Sequence, residues 1–361
     1  MPPYLLSTSH PGKTKKENAY MRRVVKLSSA LAAAALIVGG LTPAASANTE
    51  IKGAGASFAK GFMDECISQY NATRPAITVG QYGSVGSGSG RSQLLAGTTA
   101  FAMSDGYWSG TQVARAKDFI FIPFAGAPLT IPFNVPGVRN LNLTAQNITD
   151  IFSGKVTKWN DKSIKANNKN AKLPDASIVV VYRSDSSGTT QAFTQYLSQH
   201  ASDWKEVGVF NTAFQPAGSI GAPQNQGVMT AVKNTQYAVG YVDYADASTG
   251  GMPLAKVQNG LKQFIAPTLQ ATQLFLAQQP LPGSKGYVTP RYKISKIKGA
   301  YQLGVYTYYI MPKKPVKGVI EFAEYVLKTC GPTRAAAVKY NALSGKMQTY
   351  ALGQIAKATR P

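Results

Sequence analysis

Short apolar runs with strand character alternate with runs of helical spacing along most of this chain, and several strand-to-helix junctions are filled with Gly, Ser and Thr. No other feature constrains the fold as much. ITVGQY (77–82) precedes SQLLAG, and FIFIPF (119–124) follows further on. IVVVY (178–182) runs toward QAFTQYLSQH, AVGYVDYA spans 238–245, and YTYYIM (306–311) leads to VKGVIEFAEYVLKTC. This alternation predicts an α/β architecture on mostly parallel sheets. Residues 262–300 interrupt it, and their Pro and Gly content predicts loops around one helix.

The junction RSDSSGTT (183–190) raises a chemical question. Phe193, Tyr196 and Leu197 recur at helical spacing just after it, which places the hydroxyls at a helix start. The first N–H groups of a helix have no intrahelical partner and carry partial positive charge, so this is a seat for an anion. A simpler reading stays open, in which Ser187 or Thr189 is only an N-cap. Three further stretches are similar: GAGASFAKGF (53–62), YGSVGSGSGRSQLLAG (82–97) and AFAMSDGYW (100–108), the last ending a short strand at Ser104-Asp105. Each alone is explained as a connector, and Asp105 as a cap. None continues into the GK[ST] of a nucleotide-binding loop. Together they describe a small oxyanion surrounded by donors. Arg183 adds a planar fork that matches two oxygens of such an anion. Asp185 either orients that fork or forms an ordinary surface pair.

The bulk properties narrow the class. From Met21, three basic residues, an apolar run and Ala45-Ser46-Ala47 read as a secretory signal peptide over 21–47, with Met21 as an alternative start. No cysteine follows the run, so the expectation is a cleaved leader at 1–47 without a lipid anchor and an exported chain with no membrane span. The formal net charge is +22, which suits an anionic ligand or surface. The lysines are scattered, without an arginine-rich run or interleaved aromatics, which argues against nucleic acid. The two histidines, His10 and His200, and the lack of clustered Cys/His weigh against a metal centre and a Ser–His hydrolase. His200 reads as a surface helix residue. Cys66 and Cys330 are the only cysteines; a disulfide and two half-buried thiols both remain open.

At the four loops the sequence resembles a known family, the phosphate-binding proteins that serve the phosphate-specific ABC transporter, within the type II periplasmic substrate-binding proteins. GAGASF, GSVGSGSG, MSD and R-x-D-x-SGTT match in order and spacing, and so do 143–161, 221–245 and the C-terminal helix region. The likeness is weakest over 247–300. It implies a two-lobed α/β fold with a central ligand cleft. Residues 48–128 with 250–361 would form one discontinuous lobe and 129–249 the other. It also implies inorganic phosphate as ligand, no cofactor, a membrane ABC permease as partner, a periplasmic location and a monomer. Carried over by position, the phosphate ligands are Ser57, Phe58 through its backbone, Ser87, Asp105, Arg183, Ser187, Gly188 and Thr189, with Asp185 orienting Arg183. The family often has threonine where this chain has Ser57 and usually glycine where it has Ser186.

Asp105 is the unusual member, because a carboxylate repels an anion unless the ligand brings a proton. Monohydrogen phosphate has one and sulfate at neutral pH has none, so the residue would reject the near-isostere. Three rivals keep part of this reading: a phosphatase using Ser57 or Ser187 as nucleophile, a receptor for another tetrahedral oxyanion, and an adhesin or sensor working through its basic surface. The first lacks a nearby general base.

Overall fold

The structure, a computed structural model, describes residues 49–73, 76–201, 204, 208, 216–284, 286–294 and 296–361. The leader at 1–47 lies outside the described residues. Strand β1 (Gly53–Gly55) passes through a 3-10 turn at Ser57–Ala59 into helix α1 (Lys60–Thr73), and β2 (Gly83–Ser84) leads to α2 (Ser87–Leu95). Strands β3 (Phe101–Ser104) and β4 (Phe119–Thr130) follow. Strand β5 (Val179–Arg183) precedes α3 (Gly188–His200), and β6 (Ile220–Ala222) precedes α4 (Gln224–Asn234). Then come β7 (Ala238–Val239), β8 (Val242–Asp243), α5 (Tyr244–Gly250), β9 (Gly304–Pro312), α6 (Val319–Tyr325) and β10 (Asn341–Ala342).

The larger sheet has the order β8-β4-β9-β3-β1-β2, with β10 also paired to β4. A second sheet, β7-β5-β6, is parallel throughout. The alternation of elements is as the sequence suggests, but the expectation of mostly parallel sheets fails in the larger one. There β1 pairs in parallel with β2 and β3, whereas β9 runs antiparallel to both β3 and β4. The reason is physical. β4 and β9 are buried almost end to end, and a strand covered on both faces is a continuous apolar run in either direction. AVGYVDYA divides at Gly240: Ala238-Val239 pairs with β5 in the small sheet, and Val242-Asp243 pairs with β4 in the large one. The described residues of 262–300 hold one α-helix, Leu269–Leu276, together with the short strand Phe264–Ile265 and a 3-10 turn at Tyr292–Ile294 among loops.

Cys66 on α1 and Cys330, in the π-helical turn Val326–Cys330 that continues α6, form a disulfide. Both are fully buried, which settles the alternative that the sequence leaves open. His200 is half-buried rather than a surface residue: its ring lies 4.4 Å from that of Tyr196. Burial holds its imidazole below the usual histidine range.

Candidate functional site

Each predicted ligand-bearing loop follows a strand end, and all four meet. Ser187 caps α3 by accepting from the Thr190 N–H at 3.1 Å. The simple N-cap reading is therefore true of Ser187 and compatible with more, because accepting that bond leaves the hydroxyl proton free. Two other serines are arranged alike. Ser57 Oγ accepts from the Asn225 N–H at 3.1 Å, and Ser87 Oγ faces the Asp105 N–H at 3.4 Å. Each of the three hydroxyls keeps its proton available to donate, and each residue is at most 3 % exposed. The N–H groups of Gly188 and Thr189 head α3 and have no intrahelical acceptor. Phe58 is fully buried in the 3-10 turn, where its backbone N–H has the same helix-start position.

Close approach between the loops requires glycine at 188. A Cβ there would lie 2.5 Å from the Gly106 nitrogen and 2.5 Å from Ser87 Oγ. The Gly88 N–H donates to the Ser186 carbonyl at 3.0 Å, so the residue that departs from the family pattern packs directly on the start of α2. Thr189 Oγ1 donates to Asp105 Oδ2 at 3.1 Å.

Arg183 and Asp105 supply the charges. The Arg183 side chain is 1 % exposed and forks onto Asp185, Nε to Oδ1 at 2.7 Å and Nη2 to Oδ2 at 2.6 Å. Burial alone would raise the Asp185 carboxyl, but the hydrogen bonds and charge of Arg183 outweigh it and hold it below the ordinary range. Arg183 Nη1 donates to Asn225 Oδ1 at 2.8 Å. Of five guanidinium N–H groups, these bonds leave one on each terminal nitrogen. Asp105 is different. Burial pushes its carboxyl up to about 7, against the pull of the Thr307 and Thr189 hydroxyls and the charges of Arg183 and Arg91. Its Oδ1 is buried and has no hydrogen bond within 3.5 Å; the Thr307 hydroxyl, likewise unbonded at that distance, acts on the carboxyl from further off.

Hydrogen bonds and close approach link the loops bearing Ser57, Ser87, Asp105, Arg183, Ser187, Gly188 and Thr189, with Phe58 next to Ser57, and Asp185 pairs with Arg183. Sequence reasoning missed the residues that tie the loops. Asn225 holds Ser57 through its backbone, accepts from Arg183, and donates Nδ2 to Asp243 Oδ2 at 2.7 Å. Gln224, at φ 59°, donates its N–H to Asp185 Oδ1 at 3.0 Å and its side-chain amide to the Ser84 carbonyl at 2.6 Å. Asp243 is buried, and burial together with Asp246 raises its carboxyl well above the ordinary range. The available signal was the polar pair Gln224-Asn225 at a strand-to-helix junction inside GAPQNQGV, the same pattern as the four loops.

Parallel β-α units with donor-rich loops gathered at the strand ends suit a binding-protein architecture, and comparison with known proteins gives the family. Residues 42–329 match the PBP superfamily domain, and the chain belongs to that superfamily. Its fold is the type II periplasmic-binding-protein fold, with two α/β lobes. The chain is 37% identical over 225 residues to the phosphate-binding protein PstS of Pasteurella multocida (strain Pm70), covering 61% of this chain and 64% of that protein. It is 34% identical over 232 residues to PstS of Haemophilus influenzae, covering 63% of this chain and 68% of that protein. The matched region thus spans about two thirds of these relatives' length. Among solved structures, a high affinity periplasmic phosphate-binding protein (PfluDING) bound with phosphate superimposes with a TM-score of 0.67 at 20% identity, covering 84% of this chain and 92% of the other. A phosphate-binding protein from Stenotrophomonas maltophilia gives 0.64 at 21%, covering 84% and 93%. At such identities these likenesses speak to the fold alone.

Proposed function

We propose that this protein is an exported receptor that captures inorganic phosphate between two lobes and delivers it to a membrane ABC permease, without covalent chemistry. The observation that carries the reading is Asp105 Oδ1: a buried acceptor with no partner, set among hydroxyl, helix-start N–H and guanidinium donors. Donors suit any oxyanion. A lone acceptor beside them suits an oxyanion that still carries a proton, and monohydrogen phosphate is one. The ligand set is Ser57, the Phe58 backbone, Ser87, Asp105, Arg183, Ser187, Gly188 and Thr189, with Asp185 orienting Arg183. The phosphate-binding names of the relatives support this assignment. The nucleophile reading of Ser57 and Ser187 finds no support, since each accepts a backbone N–H and neither shows a bond to a general base among the described residues.

The lobes we assign are 48–128 with 250–361, centred on the larger sheet, and 129–249, centred on β7-β5-β6. Strand β8 crosses this partition to reach β4, and residues 256–258 cross it to pair with 142–143, so sheet membership marks the lobes better than a single cut. Export would follow from the leader at 21–47, and among the described residues no helix is long and apolar enough to cross a membrane. Calorimetric titration with phosphate, arsenate and sulfate tests the reading. One phosphate should bind per chain, with arsenate competing and sulfate failing to compete at about pH 8. Equal binding of sulfate would remove the role given to Asp105, and no phosphate binding would remove the function.

A further inference from the structure

Arg91 is the second fully buried guanidinium near the cage, at 1 % exposure. It projects from α2, which packs on β1 and β3. Its Nη1 donates to Ser104 Oγ at 2.7 Å and its Nε to Gln112 Oε1 at 2.9 Å. Ser104 Oγ in turn donates to the Gly106 carbonyl at 2.6 Å and accepts from the Gly106 N–H at 3.2 Å. One hydroxyl therefore joins Arg91 to both ends of the turn that presents Asp105.

Charge separates the two buried arginines. Arg183 has Asp185 against it, whereas Arg91 makes no ion pair among the described residues. Such isolation is costly for a buried cation, and a nearby anion offsets it. The charged groups around Arg91 are few. Strand β1 carries none, and β3 leads directly to Asp105. The 3-10 turn Gly110–Asp118 contributes Arg115, Lys117 and Asp118, all exposed, with Arg115 and Asp118 paired at 3.2 Å. Across the site stands the Arg183–Asp185 pair.

We propose that Arg91 is a specificity-determining residue of the anion site: from behind the Ser104–Gly106 turn it fixes Asp105 in place and supplies a buried positive charge with no carboxylate of its own, so that Asp105 meets the ligand as an unprotonated acceptor. The inference rests on the phosphate reading above and deepens it. Each group feels the other: burial lowers Arg91 to about 10 while the Asp105 charge pulls it back up, and Arg91 is among the charges that lower Asp105. Without Arg91 the Asp105 carboxyl holds its proton to higher pH. A protonated carboxyl is a donor, and a donor at that position accommodates the unprotonated oxygen of sulfate. Arg91 acts through Asp105 and is a positioning residue.

The test is competition of sulfate against labelled phosphate across pH in the wild type, Arg91→Lys and Arg91→Gln. In the wild type, sulfate should begin to compete as pH falls through the Asp105 range near 7. Arg91→Gln should move that onset upward by about one pH unit, a tenfold change in proton affinity at Asp105. Arg91→Lys should keep the onset close to wild type because the charge remains. A role in packing alone would weaken phosphate equally at every pH and leave the onset unmoved, and that result overturns the proposal. Should Arg91→Gln not fold, Ser104→Ala cuts the tether with Arg91 in place. It should shift the onset in the same direction by a smaller amount, and an unchanged onset again overturns the inference. Absence of phosphate binding in the wild type would instead fail the functional reading beneath it.

Discussion

The two walls of the cage handle charge in opposite ways. The wall from β5 and α3 places Arg183 in a bidentate pair with Asp185 and surrounds it with caps, so its charge is locally balanced and its geometry held. The facing wall, from β3 and α2, holds a carboxylate with an unpartnered oxygen in front of a guanidinium without an ion pair. On the function proposed here, the first wall binds the oxyanion. The second chooses among oxyanions, because an unpartnered acceptor is satisfied only by a ligand that donates a proton. Attraction and selection are thereby assigned to different stretches of chain.

The largest effect on phosphate binding should come from the first wall. Arg183→Ala removes a buried charge-assisted donor and leaves Asp185 and Asn225 without it, and a loss of about 2–5 kcal/mol in binding is expected by calorimetry. Arg183→Lys should fall between, since a point charge does not reproduce the fork. Equal affinity in both variants would mean that attraction resides elsewhere.

Asn225 ties Arg183 of the first wall to the Ser57 loop and to Asp243. Asn225→Ala keeps the backbone bond to Ser57 but leaves one Arg183 N–H and the buried Asp243 oxygen without their partner, a cost of about 1–3 kcal/mol. Phosphate affinity should fall roughly tenfold, read chiefly in the dissociation rate by stopped flow. A change confined to association would argue against the tie.

On the second wall, Asp105→Asn should leave phosphate binding within about tenfold of wild type, because one lost hydrogen bond is partly offset by lost repulsion. Sulfate should now compete at every pH, and if it does not, selection lies outside Asp105. The same residue predicts a pH effect on the ligand-free protein. Its folded carboxyl is raised to about 7 from the ordinary 3.8, so between those values the native state holds a proton that the unfolded chain has released. Stability should therefore fall as pH rises through that window. The melting temperature of Asp105→Asn should depend less on pH across it. Parallel curves for both proteins would contradict the assignment.

The smallest effect on binding is expected far from both walls. Cys66→Ser with Cys330→Ser should lower stability by about 2–5 kcal/mol in thermal melts, since the bridge joins residues 264 apart in sequence. Phosphate affinity should be unchanged, and a large loss would show that the position of α1 controls the first loop.

The hydroxyl-rich junctions were legible because a helix start has the same need for acceptors wherever it occurs, so RSDSSGTT and its companions marked themselves locally. Arg183 and Asp185 were legible for the same reason, being two residues apart. Asn225 and Arg91 were not. Asn225 reaches Arg183 across 42 positions and Ser57 across 168, and Arg91 lies inside a Ser/Gly stretch whose helical phase alone turns it toward Ser104. Strand direction escaped as well, because β4 and β9 are apolar on both faces.

Local chemistry in the sequence thus determined where strands give way to helices, which junctions bear donors, and the types of side chain available to an oxyanion. Only the tertiary structure decided that these junctions meet, that Ser57, Ser87 and Ser187 each accept a backbone N–H while keeping a hydroxyl proton to donate, and that one arginine is balanced while the other is not. Hydrogen-bond direction and charge compensation depend on distances between atoms, and for residues far apart in the chain those distances are set by packing.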